Sequence, residues 1–431
     1  MGKFETYKSY KEKLNIINLN ELGNIKIGNV LSSNIWFMMG YSHYKLIFRN
    51  VKNLLKISFL NRIKITYTHK ESSKILFVNV VRNRKDYEDI YNKTKNIVAT
   101  SSELIVSEDR VINIKSLCNI FHVIKYMKYL NNINKFNERL YFAIYLFEYK
   151  YLYDFIEKKV NKKYNLVVTF CDAHSYENIV AQYFNNLAVK TATLQHGQYM
   201  FNDHPDINSI AYENFISNYI LSWGLFTNLQ FKKFGISEDR LVMTGNAKYI
   251  NYEFKTIEEK LNVESKGIFG LVLDGPSYSS YYESNLRLIE FANKLAKTTG
   301  LNYIIKLHPV DYKENYLSQV NKRCFSGFCK NTLCIMEYSN QVDFSLIYIS
   351  SVYSELNMLL SPVFRYKGTA KFKLGISDGD EFNSYDELKD KYNDFLTNRF
   401  MWLNNVKKIG DYYMNTIDIY NNYKNFFDLY S

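Results

Sequence analysis

Residues 166–198, LVVTFCDAHSYENIVAQYFNNLAVKTATLQHGQ, carry the pattern from which the architecture follows. Residues 166–171 form a short apolar run typical of a buried strand, and residues 189–194 form a second strand. Residues 181–186 between them have a helical pattern, and Ser175 is placed to cap that helix. A strand, a helix and another strand in this order predict a βαβ unit with parallel strands.

The same alternation extends in both directions from this unit. Further strands are predicted at residues 74–81, 219–224, 240–246, 267–273, 302–307, 344–349 and 363–366, and helices at residues 116–130, 139–160, 226–234, 282–298 and 352–360. Two successive blocks of this kind predict an α/β protein with two Rossmann-like domains, whose parallel sheets face each other across a cleft.

The charged residues 254–266 are the best candidate for a linker between the two blocks. We therefore predict an N-terminal domain at residues 71–253 and a C-terminal domain at residues 267–384. Residues 1–70 form a basic amphipathic region attached to the N-terminal domain. Residues 385–431 are predicted to be helical and to pack back on both domains.

Composition excludes several classes of protein. The chain has 431 residues, of which 47% are hydrophobic and 23% charged, so it has enough apolar material to fold. Its five cysteines match neither a zinc ribbon nor a Cys-x-x-Cys redox motif, so free thiols in a reducing compartment are expected. The acidic tripeptide at residues 378–380 lacks a leading strand and is interpreted as a turn. We therefore expect no bound metal.

The charge distribution suggests an anionic partner. The net charge is +12, and residues 22–70 contain no Asp or Glu. This segment either lies on anionic lipid or forms a solvated basic face, and both alternatives stay open. The chain has no apolar run of membrane-spanning length, no secretory signal and no recognisable nucleic-acid module. The expected location is the cytoplasm, peripheral at the inner face of the plasma membrane.

Candidate site residues are sought where strands end, because open parallel sheets bind ligands at the carboxyl ends of their strands. In the first domain, Asp172 and His174 follow one predicted strand, and His196 follows the next. In the second domain, the residues at such positions are Asp274, Gly275, Ser277, Lys306, His308, Ser350 and Ser351. Small and hydroxyl-bearing residues suit a diphosphate, and Lys306 and His308 could neutralise its charge.

Three motifs together resemble a known group of enzymes: Gln195-His196-Gly197, the Lys-Leu-His-Pro at residues 306–309, and Ser350-Ser351 followed by Glu355. They look like the GT-B transferases of bacterial surface polymers, which include capsule Kdo transferases, sialyl- and polysialyltransferases and CDP-glycerol glycerophosphotransferases. The resemblance covers roughly residues 165–366.

The resemblance implies roles for individual residues. His308 and the two serines would contact the phosphate of a nucleotide donor, Glu355 would lie near its ribose, and His196 would be the general base. Two departures matter. The sequences around His196 and Ser350 differ from those usual in glycerophosphotransferases, which favours sugar transfer, and the acidic base motif usual in sialyltransferases is missing from the first domain.

The expected function is a metal-independent glycosyltransferase that moves a sugar from a CMP, CDP or UDP donor to a hydroxyl of a surface glycan or lipid-linked acceptor. His196 is the expected base, with Asp172 and His174 as alternatives. Two other functions are possible for this fold, a polyol-phosphate transferase and a sugar-nucleotide 2-epimerase. The epimerase is disfavoured, because a soluble enzyme that acts on small molecules has no use for a basic amphipathic segment. A further alternative is a non-catalytic glycan- or lipid-binding partner.

Overall fold

The computed structural model of the protein describes residues 2–59, 63–82, 84–108, 119–198, 209–275, 279–308, 311–330, 333–368 and 379–431. The predicted site residue Ser277 lies outside these ranges. Within them the chain forms a seven-stranded and a six-stranded sheet, each flanked by helices.

The first sheet has the strand order β1-β3-β2-β4-β5-β6-β7. Its strands are β1 (Lys64–Thr68), β2 (Ile75–Val80), β3 (Ser102–Ser107), β4 (Leu166–Thr169), β5 (Lys190–Leu194), β6 (Tyr219–Ser222) and β7 (Leu241–Met243). All pairings are parallel except that of the edge strand β1 with β3. From β2, the order runs in opposite directions through β3 and through β4. The gap between β2 and β4 is therefore the switch point, where doubly wound sheets bind ligands.

Helices cover this sheet and bury the N-terminal region. They are α1 (Lys3–Asn15), α2 (Ile27–Val30), α3 (Ser32–Met39), α4 (His43–Phe59), α5 (Lys85–Lys95), α6 (Asn119–Tyr129), α7 (Phe136–Lys159), α8 (Ser175–Asn186), α9 (Ser209–Glu213) and α10 (Leu225–Lys233). Leu14, Leu31 and Ile35 of the N-terminal helices share one buried core with Phe142 and Leu146 of α7. The described residues 2–59 and 63–70 are thus integral to the first half, and β1 belongs to its sheet.

The second sheet is parallel throughout its described pairings, in the order β10-β9-β8-β11-β12-β13. Its strands are β8 (Ile268–Val272), β9 (Asn302–Lys306), β10 (Phe325–Phe328), β11 (Ser345–Ile347), β12 (Val363–Tyr366) and β13 (Glu381–Phe382). This is the Rossmann order, with the switch point between β8 and β11. The accompanying helices are α11 (Ile257–Leu261), α12 (Ser279–Thr299), α13 (Ile335–Ser339) and α14 (Val352–Met358).

The C-terminal helices contact both halves. They are α15 (Tyr385–Thr397), α16 (Arg399–Tyr413) and α17 (Ile419–Asp428). Helix α16 packs on α14 and α10. In α17, the Tyr423 hydroxyl donates to the Gly245 carbonyl at 3.0 Å, and the ring of Phe427 lies 5.7 Å from that of Phe77. None of the helices in the described chain combines the length and apolar character that a membrane span requires.

Two local predictions differ from the structure. The sheets are not entirely parallel, because β1 pairs antiparallel with β3 at the edge of the first sheet. The prediction that Ser175 caps α8 is wrong: His174 is the N-cap residue, and the Ser175 hydroxyl donates to Asn34 Oδ1 at 3.2 Å. The helix start is thus tied to the N-terminal region instead of being capped by its own side chain.

Candidate active site

The strand ends of the first sheet bring two predicted histidines together. His174 follows β4 and His196 follows β5, and their ring centroids are 5.8 Å apart. Phe170 and Tyr87 also lie against His196, with ring centroids at 5.5 and 5.3 Å. Cys171 joins the group: its Sγ and a ring nitrogen of each histidine lie within 4.8 Å of one another. The sequence predicted the two histidines at this edge but gave Cys171 no role.

Both imidazoles are neutral at neutral pH. Burial lowers the pKa of His174 to about 3, and the charge of Arg82 adds to this shift. Burial also lowers the pKa of His196 well below its usual range, with contributions from His174, Arg82 and Arg84. Burial raises the pKa of the Cys171 thiol to about 12. A neutral imidazole can accept a proton or ligate a metal ion.

Two arginines that sequence reasoning missed follow β2, on the other side of the switch point. Arg82 pairs with the buried carboxylate of Glu177 and lies 5.4 Å from the ring of Phe170. Arg84 lies 3.8 Å from the ring of Tyr87. The signal was available, since both arginines directly follow the predicted strand at residues 74–81.

Arg84 relates the two halves of the site. Burial is the largest cause of the lowered pKa of His308, and the charge of Arg84 is the second largest. The same charge contributes to the lowered pKa of His196. The charge of Arg84 therefore acts on a histidine of each sheet.

In the second half, Asp274 ties together the two strands that flank the switch point. Its carboxylate accepts the N–H of Ile349, after β11, at 3.1 Å, and its own N–H donates to Asn285 Oδ1 at 3.0 Å. Burial raises the pKa of Asp274 to about 6, although the hydrogen bond from Ile349 opposes this. Asp274 thus positions the residues that precede Ser350.

Gly275 leaves room for the side chain of His308. A Cβ at residue 275 would lie 3.0 Å from Nδ1 of His308, so a larger residue would press on the imidazole. Lys306, at the end of β9, donates from Nζ to the Leu333 carbonyl at 2.7 Å. Burial lowers the pKa of both Lys306 and His308. The structure therefore brings Gly275, Lys306 and His308 to the same edge of the second sheet.

Ser350 and Ser351 lie at the start of α14. Ser351 is exposed and is the N-cap residue, but its hydroxyl makes no capping hydrogen bond. The Ser350 hydroxyl oxygen accepts the N–H of Val352 at 3.4 Å, a long contact. Hydroxyls that contribute little to the helix are available to a ligand.

Two predicted residues are used elsewhere. The buried Asp172 carboxylate accepts the backbone N–H groups of Ile216 at 3.0 Å and Ser217 at 2.7 Å. Glu355 accepts from Lys248 Nζ with both carboxylate oxygens, at 3.1 and 3.4 Å. Asp172 therefore has a structural role, and Glu355 holds the two halves together.

No protein-family model matches the chain, and no curated protein matches it. Solved structures do. MnaA of S. aureus with UDP has a TM-score of 0.52 and 10% identity, over 81% of this chain and 94% of that one. A protein from Listeria monocytogenes, assigned as a UDP-N-acetylglucosamine 2-epimerase, has a TM-score of 0.50 and 10% identity, over 82% and 94%. The chain has the GT-B fold. At this identity the likeness concerns the fold alone, and the predicted architecture is confirmed.

Proposed function

We propose that the protein is a glycosyltransferase that moves a sugar from a nucleotide donor to a hydroxyl of a cell-surface glycan of the capsule or lipopolysaccharide type. The observation that carries the proposal is the pairing of His174 and His196 at the strand ends of the first sheet, with ring centroids 5.8 Å apart. The ion pair of Lys248 with Glu355, at 3.1 Å, ties the helix that follows Ser350 and Ser351 to this half of the chain. A base and a phosphate site on facing strand ends are what sugar transfer requires.

The donor phosphate binds to the second half in this proposal. His308 and Lys306 face it with positive charge or N–H donors, and the Ser350 and Ser351 hydroxyls donate to its oxygens. Arg84 adds a guanidinium from the first half. These groups neutralise the leaving phosphate without a metal ion bound to that phosphate.

The acceptor hydroxyl lies on the side of the first sheet. Its oxygen forms a bond to the anomeric carbon of the sugar while the bond from that carbon to the phosphate oxygen breaks. The hydroxyl proton passes to the neutral imidazole of His196, with His174 as the alternative base. Asp172 is not proposed as a base, because its carboxylate is hydrogen-bonded to backbone N–H groups.

The donor nucleotide is first sought among UDP compounds, because the S. aureus protein of the same fold was solved with UDP. CMP and CDP donors follow from the motif resemblance. The motifs also leave a polyol-phosphate donor open, and that donor would use the same phosphate site.

The acceptor is proposed to be membrane-linked, because the first half presents an apolar and basic surface. We define the α4–α6 face as the exposed side of these two helices, which are joined by a 2.8 Å hydrogen bond from Asn119 to the Ile57 carbonyl. Its exposed apolar residues are Tyr44, Ile47, Phe48, Val51, Leu55, Phe59, Ile120, Phe121, Ile124 and Tyr129. Its exposed basic residues include Lys45, Arg49, Lys52 and Lys128. This combination suits the surface of an anionic bilayer at the inner membrane face.

A 2-epimerase is the second candidate function, favoured by the fold shared with the Listeria protein. It would transfer no sugar to an acceptor and would convert one UDP-sugar into another. The products separate the two functions: transfer yields free nucleotide in proportion to glycosylated acceptor, whereas epimerisation yields an equilibrium mixture of two UDP-sugars.

The first experiment is a thermal-shift screen of the full chain against UDP, CDP, CMP, GDP and their sugar conjugates. Stabilisation by one nucleotide is expected, and His308→Ala and Ser351→Ala should each abolish most of it. His122→Ala, a change at an exposed histidine of α6, is the control and should leave the shift unchanged. If no nucleotide stabilises the protein, a non-catalytic glycan- or lipid-binding role replaces the proposal.

The second experiment tests the base once the donor is known. His196→Ala should lower kcat about 10²- to 10⁴-fold while donor affinity changes little. Loss of donor binding with unchanged kcat would place His196 in the donor site and contradict its role as base.

A further inference from the structure

We propose that Cys171, His174 and His196 form a binding site for a transition-metal ion of the zinc type. The three side chains place one ligand atom each within 4.8 Å of one another. This inference concerns the binding of an ion, and it stands whether or not the proposed sugar transfer occurs.

The three ligands lie just beyond two strands that pair in parallel, β4 and β5. Cys171 is buried two residues after β4, His174 is the N-cap residue of α8, and His196 lies two residues after β5. Zinc bonds of about 2.3 Å to sulfur and 2.0 Å to nitrogen place tetrahedral donors roughly 3.5 Å apart. The present spacing therefore needs a closing movement of only about 1 Å, which rotation of the imidazole side chains can supply.

The three side chains, one thiol and two imidazoles, are of the types that bind zinc. Thiolate and imidazole are the ligands that zinc prefers, and hard cations such as Mg²⁺ take oxygen ligands instead. The Cys171 thiol gives its proton to solvent when its sulfur bonds to the ion. Three protein ligands leave a fourth position for water or for an oxygen of a bound molecule, the arrangement of catalytic zinc sites.

The surrounding charges are compatible with a cation. Arg82 lies 5.4 Å from the ring of Phe170, and Glu177 neutralises it in a buried ion pair. The other carboxylate oxygen of Glu177, Oε2, is buried without a hydrogen-bond partner. Arg84 donates to Asp86 at 3.1 Å. The pair of Arg82 and Glu177 is therefore neutral as a whole, and the bound thiolate supplies the negative charge at the proposed ion.

Metal binding would change the role of His196. When one ring nitrogen ligates zinc, the other carries the hydrogen, so neither His196 nor His174 can act as the base while it binds the ion. The base role proposed above therefore belongs to the metal-free protein. The proposed ion lies on the side of the first sheet, whereas the proposed donor phosphate lies on the second, so the two sites are separate.

The test is a titration of the reduced full-length protein with Co²⁺, followed by displacement with Zn²⁺. One equivalent of Co²⁺ should produce a thiolate-to-cobalt charge-transfer band in the near ultraviolet, and Zn²⁺ should remove it. Cys171→Ser should abolish the band, and His174→Ala should weaken Zn²⁺ binding by more than about 100-fold, since loss of an outer-shell partner alone costs about 10- to 100-fold. Cys324→Ser and His122→Ala are matched controls that should bind as the wild type does.

Absence of a charge-transfer band in the wild-type protein overturns the proposal, and so does a band that survives Cys171→Ser. Circular dichroism of each variant shows whether it is folded. If Cys171→Ser fails to fold, His174→Ala decides the matter, because unchanged zinc affinity in that variant also overturns the proposal. The nucleotide screen is independent of this titration, so failure of one leaves the other intact.

Discussion

Lys248 and Glu355 form an ion pair that joins the two halves of the chain, with Nζ 3.1 Å from Oε2. Lys248 follows β7 of the first sheet, and Glu355 lies in α14, the helix that begins just after Ser350 and Ser351. Both side chains are mostly buried. The pair therefore fixes the proposed phosphate-binding serines relative to the first half.

A double-mutant cycle measures this coupling. Lys248→Met and Glu355→Gln should each lower the free energy of unfolding by about 1–3 kcal/mol, because each leaves a partly buried group without its charged partner. The double variant should lose less than the sum, by about 1 kcal/mol, in urea unfolding. Additive losses would show that the two side chains do not interact in solution.

The same variants test the predicted ribose contact of Glu355. If Glu355 also contacts the nucleotide, Glu355→Gln lowers nucleotide affinity and Lys248→Met does not. An equal loss in both variants would instead assign the effect to the closure of the two halves.

A second prediction concerns the contact of α16 with α14. A Cβ at Gly410 would lie 2.8 Å from both Cα and N of Met358, and these backbone atoms cannot move aside as a flexible side chain can. Gly410→Ala should therefore destabilise the protein by about 1–3 kcal/mol in spite of the better helix propensity of Ala. Met401→Ala, at an exposed position of the same helix, should change thermal stability little. If Gly410→Ala and Met401→Ala have the same thermal stability, α16 can move away from α14 at little cost in free energy.

Most of the sheet architecture was predictable because strands β2, β4, β5, β8 and β9 each read as a short run bounded by turn residues or a helix. The edge strand β1 was not, because its residues are exposed or only partly buried and include the charged Lys64. Strand β3 was also missed. In β3 the partly buried Glu103 and Ile105 alternate with buried residues, because β3 lies next to the edge strand β1.

The site was predictable only as far as strand ends reveal it. His174, His196 and His308 could be placed at sheet edges from chain position alone. The direction in which a side chain points could not be predicted. The Asp172 carboxylate accepts hydrogen bonds from the backbone of Ile216 and Ser217. The grouping of Cys171 with the histidines depends on how β4 and β5 are paired, which spacing in the sequence does not show.

A third prediction follows from the pKa of Asp274, which burial raises from 3.8 to about 6. Between these values the folded protein binds more protons than the unfolded chain, so this group lowers stability as the pH rises through that window. Asp274→Asn removes the effect and can still accept the Ile349 N–H. Relative to wild type, the variant should gain about 2 kcal/mol between pH 4 and pH 7, measured by urea unfolding at each pH. A difference that does not vary with pH would contradict the raised pKa.

The last prediction concerns the α4–α6 face. Phe48 and Phe121 are each 73% exposed, one on each helix. If the face lies on a bilayer, both rings enter the headgroup boundary, and each is worth about 2 kcal/mol of apolar transfer. Phe48→Glu and Phe121→Glu should then each weaken co-sedimentation with phosphatidylglycerol-containing vesicles by about 30-fold.

Met401→Glu makes the same kind of change on α16, where the side chain is 66% exposed, and should leave vesicle binding unchanged. Binding should also weaken with added salt and on vesicles of neutral lipid, because the exposed lysines and Arg49 act through charge. Equal loss in all three variants would mean that added negative charge alone repels the vesicle, and the basic face would then be an ordinary solvated surface.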